Sequence, residues 1–226
     1  MKKETENRKK PVTVEELQAK YHDAKVMVVD ASVVSPFLKD GFTCRKDAMI
    51  PRNNVVYPLR SIIAHQMYSA FRAEAELDFS KKQIVMYAIL MAKDGRIFTT
   101  HRLGGDSRLV NMYSVGTGGH VDGGEGIYDA LYRELQEEVG LVREDNPFTS
   151  FFNGYISCSK TEVDKVHLGL VFTVVVDHPE KIVCLEKDKL SGEWLTVKEL
   201  KSFYDSGKLE TWSEIAYAEV IQHGEV

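Results

Sequence analysis

The chain has 226 residues, 43% hydrophobic and 28% charged, a composition that supports one large domain or one domain with an extension. A formal net charge of −5 and a pI near 5.8 exclude a protein that coats nucleic acid by counterion release, so no stable nucleic-acid partner is expected. Three scattered cysteines with no C-x-x-C pair, a charged MKKETENRKK start with no apolar segment behind it, and no run approaching the ~20 residues of a spanning helix point to a cytoplasmic protein.

Residues 1–10 read as a flexible, solvated tail. Thr13-Val-Glu-Glu16 fits a capping box and predicts a short helix to about His22, and Val26–Val29 reads as a strand. Three prolines, Pro36, Pro51 and Pro58, make 35–58 a loop-rich stretch. Ile62, Ile63, Met67, Ala70 and Phe71 recur at helical spacing and predict an amphipathic helix from Ser61 to about Glu76. Residues 11–80 are thus expected to form an N-terminal α/β extension packed on a core domain over 81–226.

In that second part, Ile84–Ala92 is a long apolar run rich in β-formers. The Lys93-Asp-Gly-Arg96 turn and Ile97–His101 complete a β-hairpin signal. A Gly-rich stretch over 116–126 leads into a helix ending at Val139, with Gly140 where a C-terminal cap belongs. Phe148–Ser157 and Val166–Asp177 are further strands. Thr196-Val-Lys-Glu199 and Thr211-Trp-Ser-Glu214 fit capping boxes that open two last helices, separated at Gly207. This order predicts a mixed α/β fold with a sheet sandwiched between helices.

Gly119-His-Val-Asp-Gly-Gly-Glu125, followed by Arg133-Glu-Leu-Gln-Glu-Glu-Val-Gly-Leu141, carries the chemical information. At about 100° per residue, Ile127, Leu131, Leu135 and Val139 form one apolar stripe, and Glu134, Glu137 and Glu138 converge on one side. Glu138 falls at the edge of the stripe and is expected to be partly desolvated. Three carboxylates so crowded repel one another. They are either a solvated face paired with Arg133 or a neighbouring lysine, or a hard-oxygen site for Mg²⁺. The preceding loop favours the second reading. Glycines at 116, 118, 119, 123, 124 and 126 let the backbone approach a ligand, and the helix N-terminus attracts an anion. Phosphate above metal above carboxylates is the layout that phosphoanhydride cleavage requires.

The stretch matches G-x₅-E-x₇-R-E-U-x-E-E-x-G-U, with U a bulky apolar residue. On Gly119, Glu125, Arg133, Glu134, Leu135, Glu137, Glu138, Gly140 and Leu141 the chain resembles the Nudix (MutT-like) hydrolase family. Ser114–Asp122 and Lys82–Arg108 also resemble a bacterial subgroup of predicted phosphoesterases. The resemblance implies an α/β/α sandwich with a mixed sheet. It also implies a metal-dependent pyrophosphohydrolase that uses Mg²⁺, or Mn²⁺ in its place, on a small nucleotide or other pyrophosphate; a homodimer is compatible with this.

The same resemblance assigns roles. Glu134, Glu137 and Glu138 become the catalytic and metal-binding carboxylates, with the Gly119 carbonyl as a further metal ligand. Arg133 holds the glutamates in position, Glu125 supports the site, and Gly118 and Gly119 meet the substrate phosphates. The general base is Glu134 in some members and a distal acid in others, for which this chain offers Glu186 and Asp188, or Glu162 and Asp164. Arg102 and Arg108 are candidates for gripping the far phosphate, whereas His120 and His167 read as structural residues. An isoprenoid-diphosphate isomerase shares the fold, but no cysteine lies within 111–120. A non-catalytic nucleotide sensor is expected to lose glutamates that this chain keeps. Tyr155-Ile-Ser-Cys158, past the motif, fits neither the ADP-ribose pattern nor the dinucleoside-polyphosphate pattern, which leaves the substrate open.

Overall fold

The structure, a computed structural model, describes residues 12–53, 55–104, 110–185, 188 and 190–223; the expected tail over 1–10 lies outside them, as do Arg108 and Glu186. Helix α1 (Val14–Tyr21) opens as its sequence predicts. Thr13 accepts from the Glu16 N–H, and the Glu16 carboxylate accepts from the Thr13 N–H in return. Strand β1 (Lys25–Asp30) is buried at its four central positions, and α2 (Ala31–Val34) follows it.

The stretch expected to be loop contains three short strands, β2 (Gly41–Cys44), β3 (Met49–Arg52) and β4 (Val55–Pro58). Its prolines sit where they cost little. Pro36 lies in a single 3₁₀ turn, Pro58 precedes a helix, and Pro51 lies in a two-stranded β3–β4 hairpin set apart from the main sheet. The helix expected over 61–76 is also corrected. Helix α3 (Leu59–Gln66) stops early, Met67 is extended, and β5 (Tyr68–Phe71) and a single turn, α4 (Arg72–Ala75), follow. Residues 68–71 pair antiparallel with β1, from Val28↔Tyr68 to Lys25↔Phe71. A ladder partner far back in the chain overrides a local helical spacing.

Strands β6 (Lys81–Ala92) and β7 (Ile97–Arg102) form the expected hairpin, with Gly95 at φ +85° in its turn. Then come β8 (Tyr113–Ser114), α5 (Ile127–Val139), β9 (Phe148–Ser157), α6 (Glu162–Lys165), β10 (His167–Val176), β11 (Leu190–Leu195), α7 (Val197–Asp205) and α8 (Thr211–Ala216). Thr196 caps α7 as predicted. Thr211 does not cap α8. It is the first helical residue, and Glu210 takes the cap position because its N–H is bonded to the Tyr113 carbonyl and its carboxylate to Arg102.

The main sheet runs β11-β7-β6-β10-β9-β2, with β1 pairing β6 and β5, and β8 pairing β7. The pair β6–β10 is parallel, from His167↔Gln83 to Val176↔Ala92, and the remaining strand ladders are antiparallel, so the sheet is mixed. Alternation along β6 separates two cores. Ile84, Met86, Ala88 and Leu90 pack with Leu131 and Leu135 of α5 and with Ile62 and Ile63 of α3. Tyr87 and Ile89 face the other way and meet Leu200, Ala216 and Tyr217. A small third cluster, Val26, Val28 and Ala75, lies under the N-terminal elements. The result is an α/β/α sandwich. Among the described residues no helix is long and apolar enough to cross a membrane.

Helix α5 is fixed from both sides of its sequence pattern. Leu131 and Leu135 are fully buried, and Gly140 ends the helix at φ +65°, donating to Gln136 and Leu135 carbonyls. Leu135→Ala is therefore expected to cost about 2–5 kcal/mol through a core cavity. Gly140→Ala has room for its methyl but must hold a left-handed backbone, at about 1–2 kcal/mol. Urea denaturation of both variants checks this; a Leu135→Ala loss smaller than that of Gly140→Ala would mean that α5 is not seated in the core.

Candidate active site

The Gly-rich segment before α5 is stitched into the sheet as an irregular strand between β6 and β1. Thr117 and Ala88 exchange backbone bonds, Met86 N–H donates to the Gly119 carbonyl at 2.7 Å, and Val121 N–H donates to Ile84. On the other edge, Met27 N–H donates to Val121 and Gly123 N–H to Lys25. This pairing sets the side-chain alternation. Val121 and Gly119 face α5, while His120, opposite Val85, faces away.

Contact leaves no room for a side chain at several of the glycines, Gly118 and Gly119 among them. A Cβ on Gly119 would stand 2.7 Å from Glu134 Oε1, and Gly118, at φ +139°, would place one 2.2 Å from the Met86 carbonyl oxygen. The loop can lie this close to α5 at Gly119, and to β6 at Gly118, only without side chains there. Gly118 N–H donates to Glu138 Oε2 at 2.9 Å, tying the loop to the far end of the carboxylate row.

Arg133 joins these parts. Its Nε and Nη2 grip the two oxygens of Glu125 at 3.0 Å each, a fork-to-fork pair. Nη1 donates to Glu134 Oε1 at 2.7 Å and to Glu137 Oε2 at 3.1 Å, and Nη2 also donates to the His120 carbonyl at 2.9 Å. Glu125 in turn accepts from the Asp122 N–H. One guanidinium thus fixes the loop, the helix entry and two of the three helix carboxylates.

Burial and charge act on these groups in opposite senses. The expectation that Glu138 lies at the edge of the core is met by partial burial, but Glu134 is the more enclosed, at 9% exposure, because the Gly119 loop covers it. That burial pushes the Glu134 carboxyl up, against the pull of Arg133. Glu125 is also pushed up by burial, but the Arg133 and Asp122 bonds outweigh this and hold it below its ordinary value. Arg133 is driven further up, chiefly by its bonds to Glu125, and stays charged.

Beside the loop lies a cavity of about 250 Å³ whose wall includes Gly118, Glu138, Arg102, Ser114, Glu210 and Trp212. Arg102 reaches it from the end of β7 and is held by Glu210 at 3.2 Å. Burial raises the Glu210 carboxyl, with Arg102 opposing. Trp212 packs against the backbone at Gly169 and edge-on to Tyr87. Glu210 and Trp212 were not expected from sequence, since nothing in the motif points to a helix start so far along the chain. Among the distal acids, Asp164 is spent on capping α6 at Thr161 and Glu162 pairs with Lys165. Asp188 is exposed. Three residues earlier in the chain, Leu185 N–H donates to the Glu138 carbonyl at the C-terminal end of α5.

This sheet, helix and loop arrangement is a known one. The NUDIX domain family matches residues 81–218, more than half of the chain. The chain belongs to the Nudix hydrolase family. Protein YmaB of Bacillus subtilis (strain 168) is 34% identical over 152 residues, covering 63% of this chain and 73% of that protein. The crystal structure of Tm1382, named as a candidate Nudix hydrolase, superposes with a TM-score of 0.67 at 28% identity, over 88% of this chain and 99% of that one. DR0079 from Deinococcus radiodurans, at 19% identity and a TM-score of 0.51, covers 79% of this chain and 98% of its own and shares the fold.

Nudix hydrolases generally use divalent metals, and the donor set on α5 fits a hard cation. It places Glu134 beneath, and Glu138 against, a loop that carries no side chain at Gly119, with Glu137 exposed beside them. A cation that binds only the folded row stabilises it as RT ln(1 + [L]/Kd), about 2 kcal/mol at tens of Kd, a rise of several degrees in Tm. Scanning calorimetry should show this rise with Mg²⁺ for the wild type and little for Glu137→Gln/Glu138→Gln; an equal response would place the cation elsewhere. For Glu125 the folded carboxyl is held low, so its contribution is present above the unfolded value, about 4.3, and is lost as pH falls through the folded one. Glu125→Gln is expected to lose about 1–2 kcal/mol at pH 7 and less in acid, read from urea midpoints at both pH values.

Proposed function

We propose that this Nudix hydrolase cleaves the phosphoanhydride bond of a nucleoside diphosphate linked to a second group, with Mg²⁺ held by Glu134, Glu137, Glu138 and the Gly119 carbonyl. The observation that carries this reading is the side-chain-free Gly118–Gly119 backbone pinned over the carboxylate row, with Gly118 bonded to Glu138 and Gly119 against Glu134. That juxtaposition brings a phosphate-approach loop and hard anionic donors to one place. When bound, Mg²⁺ neutralises negative charge on the phosphoryl oxygens and acidifies water beside it.

The chain's own residues supply the rest. Glu134, enclosed beneath the loop, takes the proton from the attacking water, and Arg133 holds its carboxylate in one orientation. Gly118 and Gly119 let the substrate phosphates approach the backbone. Arg102, already in the cavity wall, grips the far phosphate by exchanging its bond to Glu210 for one to the substrate. Arg108 is assigned the same task from the sequence alone. The substrate is a small molecule, and the cavity beside the loop receives its distal part.

Activity against a panel of nucleotide sugars, dinucleotides and oxidised nucleotides is expected to require Mg²⁺ or Mn²⁺, to vanish in excess chelator, and to rise toward alkaline pH. Glu138→Gln and Glu134→Gln should each lower kcat by roughly a hundredfold or more while the fold persists by circular dichroism. If Asp188→Asn or Glu186→Gln lowers kcat that far and Glu134→Gln does not, the base is the distal acid. Full hydrolysis in chelator defeats the mechanism, and turnover without release of a phosphate product identifies an isomerase.

A further inference from the structure

Glu76, His120 and His167 meet on the sheet face opposite α5, with candidate ligand atoms all within 4.8 Å of one another. His120 is sent there by the strand-like alternation of the catalytic loop, and His167 by its place at the start of β10. His167 Nδ1 lies 2.6 Å from the Val163 carbonyl oxygen. A carbonyl only accepts, so Nδ1 carries the ring proton and Nε2 keeps its lone pair. That lone pair faces His120 Nε2 at 3.0 Å, close to the about 3.3 Å that separates two nitrogens on a tetrahedral zinc-class ion. A backbone carbonyl on the second ring nitrogen is the usual support of a metal-binding histidine.

A second observation points to the same place. Gln83 is fully buried, and both its amide nitrogen and its amide oxygen lack a hydrogen-bond partner among the described residues. It stands directly beside His167 across the parallel β6–β10 ladder, so the two side chains project from the same face of the sheet. Buried primary amides are almost always paired, and an orphaned one beside two imidazoles and a carboxylate marks a place for an occupant. Glu76 is largely enclosed, and Arg72, itself stacked on the Tyr21 ring at 4.3 Å, touches its Oε1 only at 3.4 Å. That long contact can yield to a metal bond.

We propose that Glu76, His120 and His167, with Gln83 Oε1 as a fourth donor, form a second cation site for a zinc-class divalent ion, separate from the carboxylates of α5. Two imidazoles and one carboxylate suit Zn²⁺, Co²⁺ or Ni²⁺ and not Mg²⁺. On binding, the His120 ring proton moves from Nε2 to Nδ1 and both Nε2 atoms turn to the ion. The site is structural. It ties Glu76, at the end of α4, to the residue whose carbonyl accepts from Arg133, and so braces the catalytic loop from behind.

The test uses chelator-treated full-length protein titrated with Zn²⁺ in excess Mg²⁺, followed by calorimetry and by imidazole ¹H–¹⁵N spectra. One equivalent of Zn²⁺ should bind, with Nε2 shifts at two of the seven histidines. Glu76→Gln should weaken binding by about tenfold or more, and Glu137→Gln/Glu138→Gln should leave it unchanged. Absence of Zn²⁺ binding, shifts at other histidines, unchanged affinity in Glu76→Gln, or loss in the α5 variant would each overturn the site. A buried water in place of an ion gives the first of these outcomes. The wild-type spectra decide the matter even if Glu76→Gln fails to fold.

Discussion

A row of carboxylates cannot be packed beneath a loop without positive charge at hand, and Arg133 supplies it. Its guanidinium divides its donors among Glu125, Glu134, Glu137 and the His120 carbonyl. The planar fork makes this possible. A lysine in the same place offers one charged point and loses the two-oxygen grip on Glu125. Because Glu125 precedes the helix and also accepts from the Asp122 N–H, the arginine sets where α5 begins as well as how its acids point. Helix entry, loop position and carboxylate orientation are therefore one interaction, and a change in any of them is felt in the others.

The loop's insertion between β6 and β1 extends this dependence to the N-terminal segment. Residues 117–121 bond to β6 on one edge, and residues 121 and 123 bond to β1 on the other. β1 is in turn held by β5. The segment ahead of the matched domain thus holds the downstream end of the loop at residues 121 and 123, while β6 holds Gly119 itself. A loop held on both edges keeps the backbone conformation that its contacts with Glu134 and Glu138 demand, including the left-handed φ of Gly118.

Much of this was legible in the sequence because the deciding signals were local. The period of Ile127, Leu131, Leu135 and Val139, the cap at Gly140, and the offset from Gly119 to Glu125 to Arg133 all act within a few turns of one helix, and α5 runs over the expected residues. What escaped depended on distant partners. Residues 68–71 carry helical spacing but pair with β1. Thr211 carries a capping pattern, but Tyr113 and Arg102 hold Glu210 in the cap position instead. Glu138 was expected at the edge of the core from the helix wheel alone, yet Glu134 is the more buried, because a wheel cannot show which acid the loop covers. His120 and His167 each read as isolated residues, and only the sheet register brings them face to face.

The parallel pairing of β6 with β10 has a consequence for synthesis. The carboxylate helix and its Gly-rich loop lie within the crossover that joins these two strands. On the ribosome β6 is finished at Ala92, but its parallel neighbour is complete only at Val176, roughly 4–17 s later at ordinary elongation rates. α5 is itself complete only at Val139, so over the last 37 residues of that interval, roughly 2–7 s, its apolar face has no finished sheet to cover. In the nascent chain Leu131 and Leu135 have only the α3 and β6 part of their core to pack on until Leu168, Leu170 and Phe172 of β10 emerge.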